Sequence, residues 1–175
     1  FAGQNRLLLV ASYFFYACWD ARFFFFFAFS TLLDYVTGLQ LTAQNSERRR
    51  KILLWTSLSA NIGFLALFKY YDFFVTSFCD GLAALGCHVQ PTVLGLVLPV
   101  GISFYTFHGV SYVIDCYNRK ITPVRNIVDY ALFVSFFPLL VAGPIERATH
   151  LLPQLQRQRK FSEGDIVDGL RQILW

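Results

Sequence analysis

The sequence predicts an all-α protein, a polytopic bundle of transmembrane helices with one kinked helix and one re-entrant segment. Three observations support this class. Hydrophobic residues make up 55% of the 175 residues and charged residues only 15%, whereas a soluble domain averages about 45–50% and about 25%. The apolar residues are concentrated in runs that approach the length of a membrane span. Basic residues cluster between these runs, as in the cytoplasmic loops of membrane proteins.

The first two predicted spans are residues 5–19 and 23–41. The first is short for a span of about 20 residues, and a polar turn separates it from the second. The second span carries Asp34 among small residues on one helical face. We favour a face that packs on a neighbouring helix, with Asp34 hydrogen-bonded there. A direct catalytic role for Asp34 is the alternative.

The third and fourth predicted spans are residues 52–68 and 93–117. Pro99 and Gly101 predict a kink or an interruption in the fourth. The segment between the two spans is predicted to be amphipathic or loop-like. Its two cysteines, at positions 79 and 87, could form a disulfide if this segment is extracytoplasmic. Their spacing alone does not fix the pairing.

One face of the fourth span is polar. On a helical wheel, Gly101 and four titratable residues fall within an arc of about 80°. We call these four the polar stripe: Tyr105, His108, Tyr112 and Asp115. Ionisable groups inside a membrane are costly, so they are candidates for function. Two interpretations remain open: a structural seam that hydrogen-bonds neighbouring helices, or the lining of a substrate path.

Residues 130–145 are predicted to form a re-entrant segment. The apolar run is too short to cross a bilayer. A full crossing would also place the basic residues that follow it on the extracytoplasmic side, against the positive-inside rule. A segment that enters and returns needs shielding by protein or a wet cavity. From about residue 162, an acidic first turn and mixed polarity predict an interfacial helix.

The end of this segment is a second candidate site, made of Gly143, Pro144, Glu146 and Arg147. Glycine and proline break the helix and leave backbone groups free to bind a ligand. Arg147 would suit an anionic ligand. The alternative is that Glu146 and Arg147 pair with neighbouring residues at the interface.

The composition argues against two other classes of site. The net charge of +4 could suggest nucleic-acid binding, but the basic clusters lie beside spans, where they set topology. We therefore predict no nucleic-acid partner. The four cysteines and three histidines are not spaced as zinc ligands, so we predict no metal site.

Four segments together resemble the membrane-bound O-acyltransferase family, and its alginate O-acetyltransferase membrane-subunit branch most closely. They appear in the family's order and cover nearly the whole chain. The segments are LLLVASYFFYACWDARF, FKYYDFF, LPVGISFYTFHGVSYVIDCYNRK and FFPLLVAGPIER. The resemblance implies a multi-pass protein of the bacterial inner membrane, of which this chain is the N-terminal part.

The resemblance also implies an activity: acyl transfer from a cytoplasmic donor to hydroxyls of an extracytoplasmic polysaccharide such as alginate. The donor would be acyl-CoA or an acyl-carrier protein used as co-substrate, with no bound cofactor. The implied partners are the lipid bilayer, the polysaccharide and other subunits of an acetylation complex.

The catalytic histidine of the family is expected beyond Trp175, so this part should be inactive alone. None of His88, His108 and His150 matches that histidine. The polar stripe and the residues around Gly143 would then support the substrate path. Two other functions stay open: a transporter or channel built on broken helices, and a non-catalytic scaffold of a polysaccharide-modifying complex.

Overall fold

The computed structural model describes residues 2–86, 93, 95, 98–140, 143–144, 146–157 and 162–174. Every regular element in these residues is helical, as predicted. A 3-10 turn, Ala21–Phe23, joins the first two helices. The α-helices are α1 (Ala2–Asp20), α2 (Phe24–Ala43), α3 (Glu47–Ala84), α4 (Ile102–Tyr117), α5 (Ile127–Ser135), α6 (Phe137–Leu140), α7 (Ala148–Gln156) and α8 (Glu163–Leu174).

Two helical segments are long and apolar enough to cross a membrane, Ala21–Ala43 and Glu47–Ala84. The second has 38 residues, which corresponds to about 57 Å of helix, well beyond a hydrocarbon core of about 30 Å. Of the two predicted possibilities for the segment after the third span, amphipathic or loop-like, the loop-like one is wrong for residues 73–84, which are helical. The hydropathy pattern indicates where a helix leaves lipid and not where it ends. The backbone hydrogen bonds of α3 continue through the polar residues around Asp72.

The predicted fourth run is not one continuous helix. Helix α4 begins only at Ile102, and the described residues before it are not helical. Gly101 is the N-cap, with a left-handed φ of 72°, so it starts the helix and does not share the face of the polar stripe. A Cβ at Gly101 would lie 2.7 Å from the carbonyl oxygen of Leu140. Position 101 therefore requires glycine for two reasons: its φ is positive, and the close approach of α6 leaves no room for a Cβ.

The loops that follow α2 and α4 lie at the same end of the bundle. Arg119, after α4, lies 3.8 Å from the Glu47 carboxylate at the start of α3. The buried Arg50 donates to the backbone carbonyl of Tyr117, the last residue of α4. The predicted topology requires this arrangement. We call this end the basic end, defined by residues 44–51 and 118–126.

Large apolar side chains cover much of the described surface, and several polar side chains are buried together with the apolar core. Phe14, Phe25 and Phe73 are 70%, 77% and 63% exposed. Exposed aromatic surface of this extent is unfavourable in water and suits contact with lipid. The buried polar side chains include Asn5, Ser12, Asp34, Ser57, Asn61, His108, Asp115 and Asp129.

Helices α5, α6 and α7 run away from the basic end and return toward it. Asn5 on α1 binds the two outer helices, α5 and α7, which we call the limbs. Its Nδ2 donates to Asp129 Oδ1 at 2.8 Å and to the Leu155 carbonyl at 3.0 Å. Asp129 lies near the start of α5 and Leu155 near the end of α7. Between them, Leu140 reaches Gly101 at the opposite end of α4. We call residues 127–156 the hairpin.

Replacing Asn5 with alanine is expected to destabilise the full-length protein by about 2–3 kcal/mol, because a buried carboxylate and a buried carbonyl lose their shared donor. The measurement is unfolding of the purified protein in detergent. The control is Gln4→Ala, one residue away and exposed, which is expected to change stability little. Equal effects of the two substitutions would contradict the role given to Asn5.

Candidate functional site

Asp34 lies at the centre of a buried hydrogen-bond cluster between α2 and α3. Its Oδ1 accepts from Ser57 Oγ at 2.7 Å and from Asn61 Nδ2 at 2.7 Å. Asn61 Oδ1 in turn accepts from Ser30 Oγ at 2.8 Å. Asp34 is 1% exposed. This is the packed, hydrogen-bonded face that we favoured for Asp34, with donors from two positions one helical turn apart on α3.

Two glycines allow α4 to approach α2 closely. A Cβ at Gly109 would lie 2.0 Å from Asp34 Oδ2. A Cβ at Gly38 would lie 2.6 Å from Cε1 of Tyr112. Small residues commonly permit such helix contacts in membranes. The contact of α2 with α4 therefore depends on the absence of both side chains.

The tyrosines of the polar stripe are held in packed contacts. The Tyr105 ring meets Phe27 edge-on at 4.9 Å. The Tyr112 ring lies 4.5 Å from Tyr130, and its hydroxyl accepts from the backbone N–H of Val124 at 3.1 Å. Tyr112 thus fixes the loop after α4 against the core. These contacts are those of a structural seam.

His108 connects α4 to the hairpin. Its Nε2 accepts a hydrogen bond from the backbone N–H of Glu146 at 3.2 Å. In a neutral ring the proton then lies on Nδ1. The imidazole is 1% exposed and meets the Phe133 ring edge-on at 5.5 Å. The structure therefore brings the polar stripe into contact with the second candidate site at this residue.

The rest of the second candidate site lies near the surface. Glu146 Oε2 is 2.8 Å from His150 Nδ1, one helical turn along, so Glu146 has a neighbouring partner. Arg147 is exposed at the N-cap of α7, and Pro144 is also exposed. A Cβ at Gly143 would lie 2.6 Å from the Leu139 Cα. Gly143 therefore allows the chain to fold back over α6.

Asp115 is the stripe residue whose burial is least explained by its side-chain contacts. It is 4% exposed, and its Oδ2 has no hydrogen-bond partner among the described residues. It lies at the basic end of α4, far along the helix from Tyr105. The stripe residues therefore do not converge on one point: they are spread along α4 from Tyr105 to Asp115, and Tyr105, His108 and Tyr112 contact different neighbours.

Sequence reasoning did not identify Asn5 or Asp129. They are 124 positions apart, and helical periodicity relates only residues within one element. Cys79 is a buried free thiol, so its predicted disulfide with Cys87, which lies outside the described residues, is not formed in this structure. Trp175, after which the catalytic histidine is expected, also lies outside them.

Comparison with known proteins gives related sequences but no family model and no solved structure that matches. A probable alginate O-acetylase of Pseudomonas aeruginosa is 40% identical over 168 residues, which cover 92% of this chain and 32% of that protein. One from Azotobacter vinelandii is 39% identical over 92% of this chain and 33% of that protein. A peptidoglycan O-acetyltransferase of Helicobacter pylori is 32% identical over 85% of this chain and 32% of that protein.

The chain spans about one third of the length of these relatives. The two alginate O-acetylase matches each cover 92% of this chain. The resemblance to membrane-bound O-acyltransferases of the alginate branch is confirmed: this chain is a homologue of the alginate O-acetylases.

Proposed function

We propose that the full-length protein is an integral-membrane O-acetyltransferase that modifies an extracytoplasmic polysaccharide. The observation that carries the proposal is the 40% identity to a probable alginate O-acetylase over 92% of this chain. The relative named for peptidoglycan O-acetylation supports a sugar hydroxyl as the general acceptor. We place the protein in the bacterial inner membrane, with several passes.

In the proposed reaction, a sugar hydroxyl oxygen attacks the carbonyl carbon of an acetyl thioester. The C–O bond forms, the C–S bond breaks, and the hydroxyl proton passes through a base to the departing thiolate. The donor is acetyl-CoA or an acetylated carrier protein at the cytoplasmic face. Such a transfer needs a positioned base and donors for the oxyanion. We propose that the base is a histidine beyond Trp175.

In this proposal the described residues support the reaction without contacting the transferred group. His108 holds the backbone at Glu146, and Gly143 sets the fold of the chain before it. Arg147 is exposed beside them and is our candidate for contact with an anionic donor. Other subunits of an acetylation complex and the bilayer complete the proposed set of partners.

We further propose that the hairpin is re-entrant, with both limbs opening on the cytoplasmic side. The double hydrogen bond of Asn5 to the two limbs supports this. If so, cysteines introduced at Arg125 and Arg157 will be labelled from the same side of the membrane by an impermeant thiol reagent. A cysteine at Leu85, at the far end of α3, will be labelled from the other side. Labelling of positions 125 and 157 from opposite sides would exclude re-entrance.

The function is tested by deleting the full-length gene and measuring the O-acetyl content of the exopolysaccharide. Loss of acetyl groups, and their return when the intact gene is supplied, is the expected result. Unchanged acetyl content in the deletion strain would refute the proposal. Unacetylated polymer retained inside the cell would favour a transporter. Acetylation that survives replacement of every histidine beyond residue 175 would favour a scaffold.

A further inference from the structure

A cleft at the basic end lies outside the site described above. Its volume is about 770 Å³, and it is bounded by the loop after α4 on one side and by α7 on the other. Lys120 and Arg125 lie on the loop side, and both are exposed. No acidic side chain lines the cleft in the described part of the chain. It therefore presents uncompensated positive charge.

The wall that carries these cations is held in place by hydrogen bonds to the helices. The Tyr112 hydroxyl accepts from the Val124 N–H, and the Tyr35 hydroxyl donates to the Arg125 carbonyl. The Lys120 N–H donates to the Asp115 carbonyl at 2.9 Å. A loop fixed at three points loses little conformational entropy when a ligand binds. The cleft is thus formed before any ligand arrives.

The lining of the cleft combines polar and apolar side chains. Leu152 and Pro153 of α7 and Pro123 of the loop provide apolar surface, while Thr149 and Gln156 provide hydrogen-bonding groups. An anion with an attached hydrocarbon chain matches this combination better than a small soluble anion does. Basic pockets between helices on the cytoplasmic side of membrane proteins commonly hold anionic lipid headgroups.

We infer that this cleft binds the phosphate of an anionic phospholipid, with Lys120 and Arg125 as its counter-charges. The inference rests on the membrane location proposed above but not on acetyl transfer. Lipid binding and acetylation are measured separately, so failure of one does not imply failure of the other.

The test is titration of the detergent-purified full-length protein with fluorescent phosphatidylglycerol at about 0.15 M ionic strength, where screening over about 8 Å limits the effect of distant charges. The variant is Lys120→Gln with Arg125→Gln. At about 1 kcal/mol for each cation near an anionic lipid, and tenfold in affinity per 1.4 kcal/mol, we expect binding to weaken about 30-fold.

The control is Arg48→Gln with Lys51→Gln, which removes two exposed cations of the basic end that line a separate cleft beside Trp55 and not this one. The control is expected to bind as the unmodified protein does. Equal weakening in both variants would overturn the inference, because it would show a general charge effect. Equal binding of zwitterionic phosphatidylcholine, or displacement of the labelled lipid by inorganic pyrophosphate, would overturn it as well.

Discussion

Alanine at Gly109 is expected to prevent the full-length protein from folding stably in the membrane. The new Cβ would lie 2.0 Å from Asp34 Oδ2, and the carboxylate is fixed by two donors on α3. Overpacking costs about 1–3 kcal/mol, and displaced buried hydrogen bonds cost about as much again. The expected loss is roughly 3–5 kcal/mol, which is a large part of the stability of an ordinary domain.

The matched control is Gly63→Ala on α3. A Cβ at Gly63 meets nothing within 4 Å, and alanine is favoured over glycine in a helix by about 1 kcal/mol. The control is expected to equal or exceed the unmodified protein in unfolding temperature. Similar losses from both substitutions would mean that the contact with Asp34 does not explain the effect, because a Cβ at Gly63 meets nothing within 4 Å.

A double-mutant cycle isolates the cause. The Asp34 Cβ would be 3.7 Å from the new methyl group, an ordinary contact distance, so Asp34→Ala removes the collision. The loss of unfolding free energy caused by Gly109→Ala should therefore be much smaller in the Asp34→Ala background than in the unmodified protein, because neighbouring sites are coupled. An unchanged cost would show that the two residues do not meet as described.

Leucine at His108 is expected to reduce acetylation strongly, while glutamine is expected to preserve most of it. Glutamine has a side-chain carbonyl that can accept from the Glu146 N–H, as His108 Nε2 does at 3.2 Å. Leucine has no acceptor and leaves that N–H unpaired. An unsatisfied donor costs up to about 1–3 kcal/mol when buried, and this N–H is partly buried, so about 1 kcal/mol, or roughly a fivefold shift in the population of the ordered segment, is the expected lower end.

The sequence was sufficient to predict the helical class and the polar interior. Hydropathy identifies lipid-facing helices directly, and helical spacing placed Asp34 among small residues on one face. The same spacing grouped His108 with Tyr112 on α4. These predictions succeeded because each depends on one element and its immediate environment.

Sequence reasoning predicted a break near Gly101 and a returning segment over residues 130–145, but it did not identify the contacts between distant segments that set them, or the full length of α3. The start of α4 at Ile102 depends on Gly101 lying against Leu140, 39 positions later. The return of the hairpin depends on Asn5, which is 150 positions from Leu155. Helix α3 continues past Lys69 because a polar residue ends a membrane span without ending a helix. Periodicity contains no information about any of these.

We propose that the full-length protein transfers acetyl groups and that the polar stripe supports this reaction without performing it. The most direct test is the O-acetyl content of exopolysaccharide from a deletion strain supplied with unmodified, His108→Gln or His108→Leu protein at matched membrane levels. We predict near-normal acetylation with glutamine and a large loss with leucine. Equal, near-zero acetylation with both variants would contradict the claim, because it would show that His108 titrates in the reaction.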